Sequence, residues 1–141
     1  MSQTPPAAVA RMMAEDAASK SLGIELIECS PGRAVTRMTV RPDMANGHEV
    51  AHGGLVFAVA DTAFACACNS HGDVTLAAGA EITFVASALV GDTLMAEAVE
   101  RTRFGRSGIY DVTVRRGDDV IAEFRGRSHR PARFDRPSAA G

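Results

Sequence analysis

Cysteine is scarce. Cys29, Cys66 and Cys68 are an odd set of three in a chain of 141 residues, which excludes a disulfide framework. Cys66 and Cys68 stand two positions apart in a helical pattern, so their thiols point to different sides. The four histidines show no metal-ligand spacing such as His-Glu-x-x-His, and no metal site is expected. The cysteines therefore read as small buried hydrophobes. An excess of one charge is also missing. The formal net charge is -2, which gives no global pull toward nucleic acid or an anionic membrane, so a phosphate-bearing ligand would need local arginines. No apolar run reaches the roughly 20 residues of a spanning helix. The most apolar stretch, Leu55 to Cys68, is shorter and contains Asp61. The opening residues lack a basic segment followed by an apolar core, so no signal peptide is expected. Together these absences predict a soluble, cytoplasmic protein.

What is present suits one compact domain spanning 8–130. Hydrophobic residues make up 46% and charged residues 23%, as in ordinary globular proteins. Residues 1–7 and 131–141, rich in Pro, Ala, Ser and Gly, read as flexible termini. From Ala8 to Ser21 the spacing predicts a helix with Val9, Met12, Met13 and Ala17 on its apolar stripe. Strands are expected over Ile24–Cys29 and Ala34–Arg41, around a Pro31-Gly32 turn. In the second, Ala34, Thr36, Met38 and Val40 share one face. A loop over Pro42–Val50 carries the turn signal Asn46-Gly47. Gly53 to Ser70 is the longest predicted helix, with Gly72 as its stop. Four strand-like runs follow, at about Leu76–Ser87, Thr93–Arg103, Gly108–Arg116 and Val120–His129. Ile82 and Phe84 alternate with Glu81 and Thr83, and Val120, Ala122 and Phe124 with Glu123 and Arg125, as in antiparallel strands with one covered face. The long helix is apolar almost all round and must be buried on nearly every side. An α+β fold, with a curved antiparallel sheet wrapped around one central helix, meets that demand.

Asp61 is the residue that packing does not explain. Between Gly53 and Gly72 it alone is charged, among Val59, Ala60, Thr62, Ala63 and Phe64. An unpaired carboxylate there costs several kcal/mol, about the scale of a buried polar group left unsatisfied, and its pKa should rise. A structural carboxylate capping a loop or pairing with an arginine is the competing explanation, but perturbed carboxylates cluster at working sites. The helix start reads Ala51-His52-Gly53-Gly54, without Ser, Thr, Asp or Asn to cap it. Its first N–H groups are thus expected to lack side-chain partners, and a carbonyl oxygen gaining negative charge would suit them. A tight turn before a buried helix would carry the same three residues. Asn46, in the preceding loop, could orient a water or a carboxylate, or could serve the turn alone. His52 could fix the loop or hydrogen-bond a substrate. His48, His71 and His129 read as a loop, a helix-end and a strand-end residue.

Geometry then makes a demand. Gly53 and Asp61 are eight residues apart, about 12 Å along a helix. One substrate carbonyl cannot touch both in one chain, whereas an antiparallel second helix could bring its own Asp61 opposite Gly53. If both groups act together, the protein is at least a symmetric dimer with sites at the interface.

The stretches Val40 to His48, His52-Gly53-Gly54, Ala60-Asp61-Thr62-Ala63-Phe64-Ala65, Ile82-Thr83-Phe84-Val85, Gly91-Asp92, Gly108 to Val112 and Phe124 to His129 together resemble the hotdog-fold thioesterase family over about residues 10–130. The resemblance implies hydrolysis of aryl- or acyl-CoA thioesters of the phenylacetyl-CoA or hydroxyphenylacetyl-CoA type, in phenylacetate degradation. It implies Asp61 as general base or nucleophile, the Gly53 N–H on the thioester carbonyl, and Asn46 and His52 lining the reacting centre. It implies no metal or prosthetic group, since CoA is part of the substrate, and dimers commonly paired into tetramers. Gly54 and the stretch Arg103, Arg106, Ser107 and Gly108 are candidates for substrate binding, the latter at the nucleotide end of CoA. The chain departs from the family at Glu81, where related enzymes often carry Asn, a changed charge expected beside the substrate channel. Two other functions fit the same residues: a hotdog dehydratase or hydratase using His52 and Asp61 as an acid–base pair, and a non-catalytic acyl-CoA binding module.

Overall fold

The computed structural model describes residues 4–132. Helices α1 (Ala7–Glu15) and α2 (Ala17–Ser21) come first, then strands β1 (Glu25–Ser30) and β2 (Arg33–Thr39), a 3-10 turn at Pro42–Met44, the long helix α3 (Gly53–Asn69), and strands β3 (Leu76–Phe84), β4 (Thr93–Phe104), β5 (Ser107–Arg116) and β6 (Asp119–His129). Most of the two expected loose ends lies outside the described residues. Ala7, however, belongs to α1 rather than to a loose end.

The single helix expected over 8–21 is two helices. The chain turns at Asp16 (φ -80, ψ 86), whose carboxylate accepts the Ser19 N–H at 2.9 Å and so caps α2. An aspartate capping a new helix outweighs the continuous apolar spacing. Val9 is buried and Met12 and Met13 pack against the core, but Ala17, placed on the stripe by periodicity, is exposed.

The strands form one antiparallel sheet in the order β1-β2-β4-β5-β6-β3, leaving β1 and β3 as its edges. Helix α3 lies across one face and touches every strand. Small residues on that face let it come close: Ala34 of β2, Ala96 and Ala98 of β4 and Ala122 of β6 are fully buried. At Gly126 the Phe64 ring lies where a Cβ would stand, 2.8 Å away, so glycine is required there. Thr36 on β2 donates its hydroxyl to the Val59 carbonyl of α3 at 2.9 Å, which satisfies a buried polar group and fixes helix to sheet. As expected, Ala34, Thr36, Met38 and Val40 share the buried face, and Gly72, with φ +100, follows the end of α3.

Alternation misplaced two positions. The register shifts between Val114 and Arg115, so Ile121 is buried and Val120 is only half-buried. A bulge adds one residue to one strand and exchanges the faces beyond it. β3 ends at Phe84 rather than Ser87, and the N–H groups of Val85 and Ala86 both turn to the Ile121 carbonyl, at 2.8 and 3.2 Å. Among the described residues no helix is long and apolar enough to cross a membrane.

Candidate active site

The start of α3 is capped after all. His52 takes the N-cap position, and its Nδ1 accepts the Gly54 N–H at 3.0 Å. That corrects the expectation of a start without a side-chain partner. It also fixes the imidazole: Nδ1 is the acceptor, so in the neutral ring the proton sits on Nε2, at the exposed end. Gly54 is thereby occupied by the protein itself. The Gly53 N–H, one residue earlier, meets no acceptor among the described residues. One first-turn donor therefore remains open, at the positive end of a 17-residue helix dipole.

Gly53 forms the wall of a cavity of about 220 Å³ with Asn46, Val50, Ala51, Val56, Phe84 and Ala88. Asn46 holds the loop by accepting the His48 N–H at 2.8 Å and the Val50 N–H at 3.4 Å through Oδ1. The turn role expected of Asn46 is therefore seen. Its Oδ1 serves the turn, while the side chain stands in the cavity wall. The turn includes Glu49 at φ 65, a left-handed conformation uncommon for a side-chain-bearing residue.

Asp61 lies two turns further along α3, half-buried, and its carboxylate accepts no hydrogen bond from the described residues. Among the described residues no arginine pairs with it, and it caps no loop. Burial pushes its pKa up, and the charge of Asp16 pushes it up further. Asp16 was not picked out by the sequence. Its carboxylate accepts the Ser19 hydroxyl at 2.6 Å, and Ser19 Oγ lies 3.0 Å from Thr62 Oγ1, beside Asp61 in the chain. Ser19 and Thr62 are buried, so this polar chain ties α2 to α3 at the level of the carboxylate. Asp61 lines neither the cavity at Gly53 nor any other cavity described here. Within one chain, carboxylate and free amide remain apart, as the helical spacing required.

Arg103, Arg106 and Ser107 do converge. With Cys68, His71, Thr75, Ser128 and Arg130 they line a small cavity of about 30 Å³ at the far end of α3. Arg130, which the sequence did not single out, is held there by reciprocal backbone and side-chain bonds: its N–H donates to the Arg106 carbonyl at 2.8 Å, and Arg106 Nε to the Arg130 carbonyl at 2.7 Å. Gly108 is not in this wall. It packs against Ser128 Oγ and the Tyr110 ring, both 2.9 Å from where its Cβ would lie. His71 is more than a helix-end residue: its Nε2 lies 2.8 Å from Glu100 Oε1, which also accepts the Tyr110 hydroxyl at 2.8 Å. Glu81, expected beside the substrate channel, lines a cavity of about 370 Å³ with Thr83, Asp111, Glu123, Phe124 and Arg125. It is exposed on the sheet face opposite α3, 3.7 Å from Arg127. The strand parity that turns Ile82 inward turns Glu81 outward.

A six-stranded antiparallel sheet packed on a long apolar helix, with an open amide at the helix start and an unpartnered carboxylate at its middle, defines a hotdog-fold protein with an enzyme-like site. The family is specified by comparison with known proteins. The chain belongs to the Thioesterase superfamily, whose family model matches residues 48–123. It is 45% identical over 120 residues to the acyl-coenzyme A thioesterase PaaI of Escherichia coli, covering 84% of this chain and 86% of that protein. The structure of PaaI from the phenylacetic acid degradation operon of E. coli superposes with a TM-score of 0.86 at 42% identity, over 89% of this chain and 91% of that one. A structure of the phenylacetic acid degradation protein PaaI of Thermus thermophilus gives a TM-score of 0.78 at 33% identity, over 80% and 97% of the two chains.

Proposed function

We propose that this chain is a cytoplasmic acyl-CoA thioesterase, a single catalytic domain over 8–130 that works as a homodimer paired into a tetramer. It hydrolyses aryl or acyl thioesters of the phenylacetyl-CoA or hydroxyphenylacetyl-CoA type and uses no metal or prosthetic group. The observation that carries this reading is the pair of unused groups on α3. Among the described residues the Gly53 N–H lacks an acceptor and the Asp61 carboxylate lacks a donor, and the Asp61 pKa is raised. The relatives named for acyl-CoA thioester hydrolysis and phenylacetic acid degradation support the substrate class.

In the dimer, the partner subunit's Asp61 faces the thioester carbonyl held by the Gly53 N–H of the first chain. Asp61 then acts in one of two ways. As a base it takes a proton from water while the water oxygen bonds to the carbonyl carbon. As a nucleophile its own oxygen bonds to that carbon, giving a mixed anhydride that water then opens. In both, negative charge gathers on the carbonyl oxygen against the amide and the helix dipole. The C–S bond breaks and CoA leaves as thiolate, which takes up a proton. Once ionised, a carboxylate with a raised pKa is a stronger base than one in the ordinary range. Asn46, in the same cavity wall, positions the reacting group, and the outward Nε2–H of His52 is available as a donor. At the far end of α3, Arg103 and Arg106 with Ser107 form the basic surface for the nucleotide phosphates of CoA.

The test is release of CoA thiol from phenylacetyl-CoA and from short and long acyl-CoAs, with Asp61→Asn as control. The expected result is turnover by the native chain and loss of about a thousandfold or more in the variant, the scale on which essential catalytic groups act. Absence of thiol release from every ester sinks the reading. Unchanged thiol with altered double bonds would instead mark a dehydratase. Single-turnover hydrolysis in oxygen-18 water, with label sought in Asp61, separates base from nucleophile.

A further inference from the structure

Phe84 ends β3 on the same sheet face as Ile82, which packs against the core, yet Phe84 is 51% exposed. The reason is its reach. The ring extends past the last core residues to the first turn of α3, where its Cζ lies 3.0 Å from the point a Gly53 Cβ would occupy. The ring therefore stands next to the amide at the helix start that meets no acceptor among the described residues. It also walls the cavity of about 220 Å³ that Gly53 opens into, whose other sides are mostly apolar, Val50, Ala51, Val56, Ala86 and Ala88, with Asn46 and Ser87 as polar members. That space is below the roughly 300–1,000 Å³ of sites that enclose whole drug-sized ligands. It suits an acyl group and not the CoA portion of an ester.

We infer that Phe84 is the specificity-determining residue of the site, selecting acyl groups that carry a flat aromatic ring close to the thioester carbonyl. The inference rests on the thioesterase reading of Gly53 and deepens it. A carbonyl oxygen on the Gly53 amide places the next acyl atoms within reach of the Phe84 ring. A substrate ring there meets aromatic carbon edge-on or offset, an arrangement that favours aromatic pairs beyond plain area burial. A saturated ring of the same size buries similar area without that preference. Glycine at 53 leaves the amide accessible and lets the Phe84 ring stand this close to the backbone.

The experiment compares phenylacetyl-CoA with cyclohexylacetyl-CoA, its saturated counterpart, on the native protein, Phe84→Leu and Phe84→Tyr. Aromatic pairing of the usual strength corresponds to about a threefold to tenfold difference in kcat/KM. The native protein should favour phenylacetyl-CoA by that factor. Phe84→Leu should bring the ratio of kcat/KM on phenylacetyl-CoA to that on cyclohexylacetyl-CoA to about one, whatever the change in either rate alone, and Phe84→Tyr should keep the preference. A ratio unchanged in Phe84→Leu overturns the inference. So does an equal fall on both esters, with or without loss of the oligomer by sedimentation, since that marks Phe84 as an interface or packing residue. A native protein that cleaves linear acyl-CoAs but neither ring ester overturns it too. A native protein that cleaves no CoA thioester sinks the thioesterase reading itself, a separate and distinguishable failure.

Discussion

Ser19 Oγ lies 3.0 Å from Thr62 Oγ1, and this contact joins α2 to the middle of α3. Proton counting gives the chain a direction. The Ser19 hydroxyl proton goes to Asp16 at 2.6 Å, so Ser19 receives from Thr62, which shares its proton with the Ala58 carbonyl at 3.0 Å. Ser19 is 4% exposed and Thr62 8%, so neither has water to fall back on. Thr62→Val keeps the shape and removes the donor. Ser19 still donates to Asp16, so the variant should cost about 0.5–1.5 kcal/mol, the net contribution of one hydrogen bond, read as a lower midpoint at constant slope in urea unfolding.

Asp16 also bears on the reaction, because its charge helps hold the Asp61 pKa up. Asp16→Asn keeps an oxygen for Ser19 and removes the charge. The ionised form of Asp61 then becomes easier to reach and its pKa falls toward the ordinary carboxylate range. If ionised Asp61 is the active form, activity is lost as pH falls through its pKa. The acid limb of kcat/KM against pH should therefore move to lower pH in the variant, while Ser19→Ala, which leaves the charge, should move it less. Coincident acid limbs for native and Asp16→Asn would separate the two carboxylates.

The same shift has a consequence for stability. Folded Asp61 holds its proton to higher pH than the unfolded chain does, so the native state binds more protons between the ordinary and the raised pKa. Stability contributed by this group falls as pH rises through that window and stays lost above it. Asp61→Asn, isosteric and uncharged, should raise Tm by on the order of a few degrees at pH 7, and the gain should shrink toward zero at acid pH where native Asp61 is protonated. A variant with lower Tm at pH 7 would mean that the carboxylate makes a stabilising contact in the assembled protein.

Much of this arrangement was legible in the sequence for identifiable reasons. A lone charge in an apolar helical run marked Asp61, and the same run with Gly72 after it marked α3 to within one residue. Period-2 alternation marked the strands. What could not be read depends on local competition or on distance. Asp16 sits in a continuous helical pattern and reads as a surface charge until its carboxylate is seen to cap Ser19. His52 lies outside the usual capping residues, so the cap on Gly54 was missed. The bulge in β6 opposite Val114 and Arg115 put Ile121 inside in place of Val120. Phe84 over Gly53 joins positions 31 residues apart and leaves no trace in either local pattern.

The His52 cap can be separated from any role of its ring in turnover. His52→Ala frees the Gly54 N–H and should cost about 0.5–2 kcal/mol, the usual loss for an N-cap acceptor. His52→Asn restores an acceptor at the cap and should recover most of that stability without restoring an imidazole N–H toward the site. Recovery of Tm without recovery of kcat would assign the two functions to the two ring nitrogens; recovery of both would leave the cap alone as the role of His52.

The three thiols are free and buried, and burial pushes Cys66 and Cys68 up to about 12. Thiolate, the reactive form, is therefore scarce at assay pH. The native protein should show little fast reaction with a disulfide reagent at pH 8 and three reactive thiols in denaturant. Fast native labelling of Cys66 or Cys68 would mean that α3 opens from the sheet on the assay timescale.

A shared site can be tested by complementation. Gly53→Pro removes the free N–H at the first helical position, where proline is tolerated, and His52 at φ -59 and ψ 132 already has the extended backbone required before proline. The Phe84 ring near that position is half exposed and has room to move aside. Gly53→Pro and Asp61→Asn should each be inactive alone. In a mixed dimer, one of the two sites receives an intact amide from one chain and an intact carboxylate from the other. After subunit exchange at equal amounts, half the dimers are mixed and half their sites intact, so activity should return to about a quarter of native. If carboxylate and amide served the same carbonyl within one chain, every chain in the mixture would lack one of the two groups, and no activity would return however long the subunits exchanged.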